Sequence, residues 1–464
     1  MSTENTHFGA DKINEFIKDK KNLFFIGIGG VMMYSLAHMS KIRGYSVSGY
    51  DRTPSPLTEN LEQSGIPVYY ESNTDNVRDA DIVIYTVAIP SDNPEYVYAQ
   101  THSIPCVSRA DYLGYIMRGY THRIGVSGMH GKSTTTAITA KIFLEADGAD
   151  PTIVSGAKLR ELGAEYRIGG MEYFIFEACE YKDSFLDFYP TIAVILNIEM
   201  DHVDYFSSIE QIEKSFSAFE ARTGKDGCAV INCDDEHVMK STKSYEGKIV
   251  TFSVKSADAD YASSNVSFTK GRANFDILHK GEYLCRAEMA VPGEHLIYDA
   301  LAAAAAAHES GVSQQAIEKG LRTFSGIERR MEFRGKVNGA DVYDDYAHHP
   351  TEIKTTLNGA KEMGYDRVIC VFQPHTYSRT AELYDEFAQS LDVADEVILA
   401  DIYAAREINT SGVSSEALAK EISGAKYFDS FEKIAAHIRA TAKVNEMILI
   451  AGAGDINKLA DLLL

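Results

Sequence analysis

The sequence predicts an α/β protein built from three domains. At 464 residues the chain is longer than a single hydrophobic core usually serves. Two apolar strands run directly into glycine-rich turns that open helices, at residues 27–30 and 128–131, and strands alternate with helical stretches after residue 330. Such alternation is typical of parallel sheets covered by helices. We place the domain boundaries at 1–119, 120–329 and 330–464.

The first domain begins as a Rossmann-like unit. An apolar strand leads into GIGG at 27–30, a helical stretch follows, and a second strand ends at Asp51. A nucleotide diphosphate would suit such a turn, with an acid at the end of the second strand. The motif is weak evidence for a nicotinamide cofactor, because Met32 stands where the third glycine belongs. The candidate ligand-binding residues are Gly27, Gly29, Gly30 and Asp51.

The second domain opens on a P-loop ATPase-like turn, GMHGKSTT at 128–135. Glycines let the backbone approach phosphate oxygens, the helix N-terminus directs amides at them, and Lys132 can reach the β and γ phosphates. The spacing is shorter than the general pattern, because Val126 stands where its first glycine belongs. The alternative is a turn that uses glycine for geometry alone. The candidate nucleotide-binding residues are Gly128, Met129, His130, Gly131, Lys132, Ser133 and Thr134.

Two later strands of this domain end in carboxylates. Glu177 closes one apolar strand, and the cluster at 197–204, which includes His202, follows the next. If these strands are parallel neighbours of the phosphate turn, Ser133, Glu177 and His202 form a candidate Mg²⁺ site, since this ion prefers oxygen ligands. For each residue alone, a solvated strand-end role is the alternative. Beyond them we expect antiparallel hairpins over 248–291 and an alanine-rich helix over 296–308.

The third domain is predicted to be a Rossmann-like parallel sheet with polar strand ends. His348, His375 and Arg379 follow apolar strands, where they can bind a substrate carboxylate and stabilise developing negative charge. The alternative is a turn with a capped helix behind it. At the junction with the second domain, Arg330 belongs to a basic pair that either forms a surface salt link or reaches phosphate.

Composition narrows the function class. With 45 basic and 67 acidic residues the net charge is −22, which argues against a nucleic-acid partner. The six cysteines form no C-x-x-C pair, as expected of reduced cytosolic thiols. The polar N-terminus resembles neither a signal peptide nor a membrane span. We therefore expect a cytoplasmic protein without membrane insertion, as a monomer or weak homodimer.

Taken in order, these motifs resemble the Mur ligase family over nearly the whole chain. The resemblance rests on GIGG at 27–30, GMHGKSTT at 128–135, EACEY at 177–181, residues 197–202, PGEH at 292–295, DYAHHPTE at 345–352, FQPH at 372–375, SRT at 378–380 and GAGD at 452–455.

The resemblance implies an ATP- and Mg²⁺-dependent ligase of peptidoglycan precursor synthesis. The first domain would bind UDP-N-acetylmuramate, the second ATP, and the third would present L-alanine. ATP would phosphorylate the lactyl carboxylate, and the amine would attack the acyl phosphate. Lys132 would support the transferring phosphoryl group, His348 and Arg379 would position substrates, and His295 is added to the nucleotide-binding residues together with Arg330.

Two alternatives remain open from the motifs. A recycling ligase that joins a tripeptide to the same UDP sugar would share nearly all of them. A non-catalytic nucleotide-binding regulator is suggested by Met32, Leu296 and Asp299, which replace residues usual in the family. A dehydrogenase is less favoured, since nothing else in the chain requires nicotinamide.

Overall fold

The structure is a computed structural model that describes residues 3–202, 205–405 and 407–464. The chain divides into two compact units, one formed by Met1–Tyr261 with Ala302–Ile317, the other by Ala262–Leu301 with Glu318–Leu464. Within the described residues, no helix has the length and apolar character needed to cross a bilayer.

The first sheet is five-stranded and parallel, in the order β3-β2-β1-β4-β5. This order and the glycine turn between β1 and α2 confirm the predicted Rossmann-like start. All four residues of β4 are buried, as expected for a strand covered on both faces. The elements are α1 (Ala10–Ile17), β1 (Asn22–Ile26), α2 (Val31–Ile42), β2 (Ser46–Tyr50), α3 (Pro56–Gln63), β3 (Val68–Tyr69), β4 (Ile82–Tyr85), α4 (Pro94–Thr101), β5 (Cys106–Ser108) and α5 (Arg109–Met117).

Seven further strands of the first unit follow in the order β12-β11-β10-β6-β9-β7-β8. All neighbouring strands run parallel except β7 and β8. Strand β6, which carries the phosphate turn, lies between β9 and β10, so the acidic strand ends are its neighbours as predicted. The elements are β6 (His122–Ser127), α6 (Lys132–Leu144), β7 (Thr152–Leu159), β8 (Ala164–Arg167), β9 (Tyr173–Glu177), β10 (Ile192–Ile195), α7 (Ile209–Ala221), β11 (Cys228–Asn232), α8 (Glu236–Ser241) and β12 (Lys248–Ser253).

The prediction of antiparallel hairpins over 248–291 is wrong for its first strand. Strand β12 runs parallel to β11, because helix α8 connects them as a crossover. The rest of the stretch forms β13 (Tyr261–Thr269), β14 (Arg272–His279) and β15 (Glu282–Pro292), and β14 pairs antiparallel with β15. Gly271 and Gly281 have φ of 72° and 79° in the two turns, which favour glycine.

The alanine-rich helix is confirmed as α9 (Leu296–Glu309), and α10 (Gln314–Thr323) follows it. Every alanine from Ala302 to Ala307 is fully buried, so the run serves close packing.

The last sheet has the order β16-β17-β21-β18-β19-β20 and is parallel except for β16. The parallel sheet predicted from strands near Val342, Val368, Val397 and Met447 is confirmed. Strand β16, which was not predicted, is added at the edge, where the tight turn at Asn338 and Gly339 returns the chain antiparallel. The buried residues of this sheet and its helices form two separate hydrophobic clusters. The elements are β16 (Glu332–Val337), β17 (Ala340–Asp345), α11 (Pro350–Glu362), β18 (Arg367–Phe372), α12 (Tyr377–Glu382), α13 (Tyr384–Leu391), β19 (Glu396–Leu399), α14 (Ser415–Glu421), β20 (Lys426–Tyr427), α15 (Phe431–Thr441), β21 (Glu446–Ala451) and α16 (Lys458–Leu463).

Candidate phosphate and substrate sites

The phosphate turn requires glycine at two positions. Gly128 and Gly131 have φ of 143° and 83°, and a Cβ at Gly128 would lie 2.9 Å from the Cβ of Leu196. Gly131 is the N-cap of α6, so the first amides of that helix are available to an anion. Met129 and Thr134 are buried beside it. The turn therefore has the form that the sequence predicts for a phosphate cradle.

Lys132, the first residue of α6, is held by a buried carboxylate. Its Nζ lies 3.0 Å from Oε1 of Glu180 and donates to the carbonyl oxygens of Gly128 and Met129. Burial acts to lower the pKa of Lys132, but the Glu180 carboxylate, with smaller contributions from Cys179 and Glu177, outweighs it, so that pKa is raised. Burial acts to raise the pKa of Glu180, but Lys132 and His202 together lower it overall. The lysine thus stays charged beside the phosphate turn.

The predicted metal ligands Ser133, Glu177 and His202 form two separate side-chain contacts. Ser133 Oγ donates to Oε2 of Glu177 at 2.7 Å, and the amide of Gly156 donates to the same oxygen at 3.0 Å. His202 contacts Oε1 of Glu180 through Nε2 at 3.1 Å. Asp204, in the cluster singled out from the sequence, lies outside the described residues.

This donor set fits a divalent cation. A serine hydroxyl and carboxylates are the oxygen ligands that Mg²⁺ prefers. The second carboxylate oxygen of Glu180 is buried and, among the described residues, has no hydrogen-bond partner. An unsatisfied buried carboxylate oxygen next to a lysine and an imidazole is favourably placed for added positive charge.

The turn is also braced by Asn197, a residue to which sequence reasoning gave no role. Its side-chain oxygen accepts from the amide of His130 at 2.8 Å, and its Nδ2 donates to the carbonyl of His130 at 3.0 Å. The imidazole of His130 contacts the carboxylate of Glu199. Glu180 was likewise missed as a partner of Lys132, although the motif at 177–181 contains it. The sequence signal that could have indicated Glu180 is its position three residues after the strand-end acid Glu177.

At the edge of the first sheet, Asp51 holds the turn at 27–30 in shape. Oδ2 of Asp51 accepts from the amide of Gly29 at 2.9 Å, and Oδ1 accepts from the amide of Thr53 at 3.3 Å. Gly27 has a φ of 83°, and Gly30 is the N-cap of α2. A Cβ at Gly29 would lie 2.9 Å from Asp51 Oδ2. Asp51 therefore shapes the turn through backbone contacts.

A cavity of about 890 Å³ opens beside this turn, between α2, α3 and the β7–β8 hairpin. Its polar lining includes tyrosine hydroxyls, an imidazole and two basic side chains, a mixture suited to a polar ligand with an anionic part. Its lining includes Gly29, Tyr34, Asn60, Lys158, Tyr166 and Arg167.

In the second unit, a carboxylate joins two of the predicted residues. Glu352 lies 3.2 Å from Nδ1 of His348 through Oε2, and 3.4 Å from Nη1 of Arg330 through Oε1. The rings of His348 and His375 have centroids 6.2 Å apart. The structure therefore brings the two strand-end histidines together.

Arg379 lies on α12 beside the strand-end histidine. Its Nη1 donates to the carbonyl of His375 at 3.2 Å, and the ring of Tyr403 stacks on His375 with centroids 5.6 Å apart. Burial and then the charge of Arg379 lower the pKa of His375. A neutral imidazole beside a guanidinium can accept a proton while the arginine binds an anion.

His295 lies close to Arg330 in the same unit. Burial, followed by the positive charge of Arg330, lowers the pKa of His295 to about 4. Its Nδ1 is buried and has no hydrogen-bond partner among the described residues. A neutral imidazole with one unsatisfied nitrogen is therefore available to a ligand near Arg330.

Comparisons with known proteins give the same picture of the whole chain. Three family models match it, described as the Mur ligase family catalytic domain over residues 22–121, the Mur ligase middle domain over 126–307, and the Mur ligase glutamate ligase domain over 329–454. The UDP-N-acetylmuramate--L-alanine ligase of Clostridium novyi is 44% identical and covers 97% of this chain and 98% of that protein. That of Clostridium acetobutylicum is 43% identical, with 96% and 97% covered.

Solved structures agree. The UDP-N-acetylmuramate-alanine ligase MurC of Thermotoga maritima matches with a TM-score of 0.78 and 27% identity, covering 95% of this chain and 98% of that one. A murein peptide ligase of Psychrobacter arcticus matches with a TM-score of 0.72 and 25% identity, with 96% and 98% covered. The predicted three-domain α/β fold is confirmed by these matches.

Proposed function

This chain belongs to the Mur ligase family, and we propose that it is an ATP-dependent ligase that joins L-alanine to the lactyl carboxylate of UDP-N-acetylmuramate. The activity printed for relatives 44% and 43% identical over nearly the whole chain supports this acceptor. The observation that carries the chemistry is the phosphate turn with Lys132 held by Glu180 and Ser133 held by Glu177. These groups are what phosphoryl transfer from a nucleotide requires.

In this proposal the amides at the start of α6 bind the phosphates of ATP, and Lys132 stabilises the charge on the transferring group. Ser133, Glu177 and His202 would hold Mg²⁺. The ion would neutralise phosphate charge and orient the transfer. Lys132 needs no proton movement for this role, because its raised pKa keeps it charged.

The turn at 27–30 and the adjoining cavity are proposed to bind the UDP sugar. The volume of this cavity, about 890 Å³, lies within the usual range for small-molecule sites. Lys158 and Arg167 in its lining supply positive charge. Asp51 keeps the turn open to the diphosphate by accepting the amide of Gly29. We propose the functional boundaries 1–119 for the sugar-nucleotide domain, 120–329 for the ATP domain and 330–464 for the domain that presents the amino acid.

In the last domain, His348, His375 and Arg379 are proposed to bind and orient substrate carboxylate. The bidentate guanidinium of Arg379 suits that group, and the lowered pKa of His375, caused by burial and by Arg379, leaves it able to accept a proton from an incoming amine. His295 and Arg330 are proposed to contact the nucleotide. We further propose a cytoplasmic enzyme without nucleic-acid partners, monomeric or weakly dimeric.

A tripeptide-recycling ligase is the second candidate, favoured by the match to the murein peptide ligase of Psychrobacter arcticus. Both activities use the same nucleotide chemistry, so the acceptor separates them. The test is ADP release from purified protein with ATP, Mg²⁺ and UDP-N-acetylmuramate, with L-alanine or the tripeptide, followed by product mass. Release that needs L-alanine, with a product heavier by one alanine residue, supports the proposal. Release with the tripeptide alone supports the second candidate, and no release with either supports a non-catalytic binder.

A further inference from the structure

Residues 3–9 form a short N-terminal strap that is tied to the first sheet. The hydroxyl of Tyr85, on β4, donates to the backbone oxygen of Glu4 at 2.7 Å. Thr6 donates through Oγ1 to Asp111 at 2.8 Å, and the amides of the last two strap residues donate to the same carboxylate at 2.6 and 3.0 Å. One edge of the strap is thus fixed by backbone and side-chain hydrogen bonds.

The other edge of the strap holds the loop that follows β9. Nδ2 of Asn5 donates to the carbonyl oxygen of Lys182 and to the hydroxyl of Ser184, both at 3.1 Å. His7 Nδ1 lies 2.8 Å from Oδ1 of Asp187, which is buried. The strap therefore binds the loop at three points by side chains that come from a distant part of the sequence.

This loop has a backbone that needs such support. Lys182 and Asp183 both have φ of 53°, a left-handed conformation that side chains disfavour. Asp183 is held from the other side by the hydroxyls of Tyr205, at 2.6 Å, and Ser215. The loop begins at Glu180, the carboxylate that binds Lys132. Its conformation consequently sets where that carboxylate stands.

We propose that the strap is a positioning element for phosphoryl transfer, in which Asn5 and His7 fix the loop that presents Glu180 to Lys132. Neither residue touches the substrates; both act through the loop. The inference rests on the proposed function, since the role of Glu180 matters to turnover only if Lys132 acts on phosphate. It adds to the reaction two residues that lie about 175 positions before the carboxylate that they position.

The charge of His7 gives the strap a pH dependence. Its imidazole faces the carboxylates of Asp187, Asp111 and Asp183, and Arg222 lies near the first of them. The hydrogen bond that His7 donates to Asp187 outweighs burial and raises the pKa of His7. The ionic contact is present below that raised pKa and is lost as the pH rises through it. The loop should therefore be held more firmly below the raised pKa of His7 than above it.

The test compares Asn5→Ala and His7→Gln with the control Glu4→Ala. The control removes an exposed side chain of the strap and keeps the backbone oxygen that Tyr85 uses. In the ADP-release assay we expect kcat to fall about tenfold in Asn5→Ala and to stay within about twofold in the control. Asn5→Asp, which keeps an acceptor but loses the donor, should not restore kcat. We expect kcat of the wild type to decline as the pH rises through the raised pKa of His7, and His7→Gln should remove this decline.

Hydrogen exchange of the peptide over 178–188 gives a second measurement that does not depend on turnover. Faster exchange in Asn5→Ala than in Glu4→Ala is expected. Unchanged exchange overturns the inference, whether or not ADP is released. Faster exchange with unchanged kcat in an active wild type also overturns it, because the strap would then be structural only. A wild type that releases no ADP with any acceptor defeats the proposed function, and the positioning role falls with it.

Discussion

The two glycine turns of the first unit, at 27–30 and 128–131, share a backbone arrangement in which a glycine caps the start of a helix, but they carry different side chains. At 128–131 the helix begins with Lys132, which pairs with Glu180, and continues with Ser133, which pairs with Glu177. At 27–30 the helix begins with apolar residues, and Asp51 accepts a hydrogen bond from the amide of Gly29.

The difference matches what the two proposed ligands require. Backbone amides and a helix N-terminus suffice to bind a diphosphate that does not react. A phosphoryl group in transfer also needs a fixed cation and oxygen ligands for a metal. Charged side chains are accordingly concentrated at one turn, and substitutions at the two turns should affect different substrates.

The largest expected effect is that of Lys132→Ala. We expect kcat to fall about 10³-fold, or about 4 kcal/mol, because charge on the transferring group loses its fixed partner. Steady-state ADP release measures it, with circular dichroism to confirm folding. Lys141→Ala, which removes another lysine of α6 and its contact with Glu145, should stay within about twofold. A Lys132→Ala enzyme that keeps more than about a tenth of kcat would contradict the comparison.

Glu180→Gln tests how much the buried ion pair with Lys132 contributes to the free energy of unfolding. At neutral pH we expect a loss of about 3 kcal/mol in the free energy of unfolding, because Lys132 is left as a buried charge without its counter-charge. Burial opposes ionisation, but Lys132 and His202 together lower the pKa of Glu180 below its ordinary value. The stabilisation is present above that value and is lost as the pH falls through the lowered pKa. Urea unfolding should therefore show a difference in the free energy of unfolding between wild type and variant that becomes smaller in acid. An equal difference at pH 7 and below pH 4 would contradict a stabilising ion pair between Lys132 and Glu180.

Glu177→Gln keeps a hydrogen-bond partner for Ser133 but removes the charge that a metal would meet. We expect about a 100-fold lower kcat at fixed Mg²⁺, or about 2.7 kcal/mol, with partial recovery at high Mg²⁺. Titrating Mg²⁺ in the ADP-release assay measures this. Glu172→Gln, an exposed position just before β9, is the matched control. Equal Mg²⁺ dependence in both variants would remove Glu177 from the proposed metal site.

The smallest expected effect belongs to the other turn. Asp51→Ala removes the acceptor of the Gly29 amide, and we expect KM for UDP-N-acetylmuramate to rise about tenfold, or about 1.4 kcal/mol. KM for ATP should not change. Varying each substrate in turn distinguishes the two, and an equal rise in both KM values would mean that the turns are not separate in function.

The sequence was sufficient for features that local chemistry determines. The strand, the positive-φ glycines and Lys132 at the start of α6 lie within one short segment, so the phosphate turn was predictable from residue types alone. The adjacency of Glu177 followed from the general behaviour of parallel strand ends.

What could not be predicted depends on contacts between distant residues. The pairing of Lys132 with Glu180 rather than Glu177 depends on how the chain turns after β9, where Lys182 is left-handed. The contacts of Asn5 join residues 177 positions apart. The direction of β12 was misjudged because short alternating strands look alike whether they pair parallel or antiparallel, and only the α8 crossover decides it.

The most direct test is a calorimetric titration of the wild type, Lys132→Ala and Asp51→Ala with a non-hydrolysable ATP analogue plus Mg²⁺ and, separately, with UDP-N-acetylmuramate. We predict a crossed pattern, in which Lys132→Ala weakens only the nucleotide and Asp51→Ala weakens only the UDP sugar. If either variant weakens both ligands equally while remaining folded, the assignment of the two turns to different substrates is contradicted.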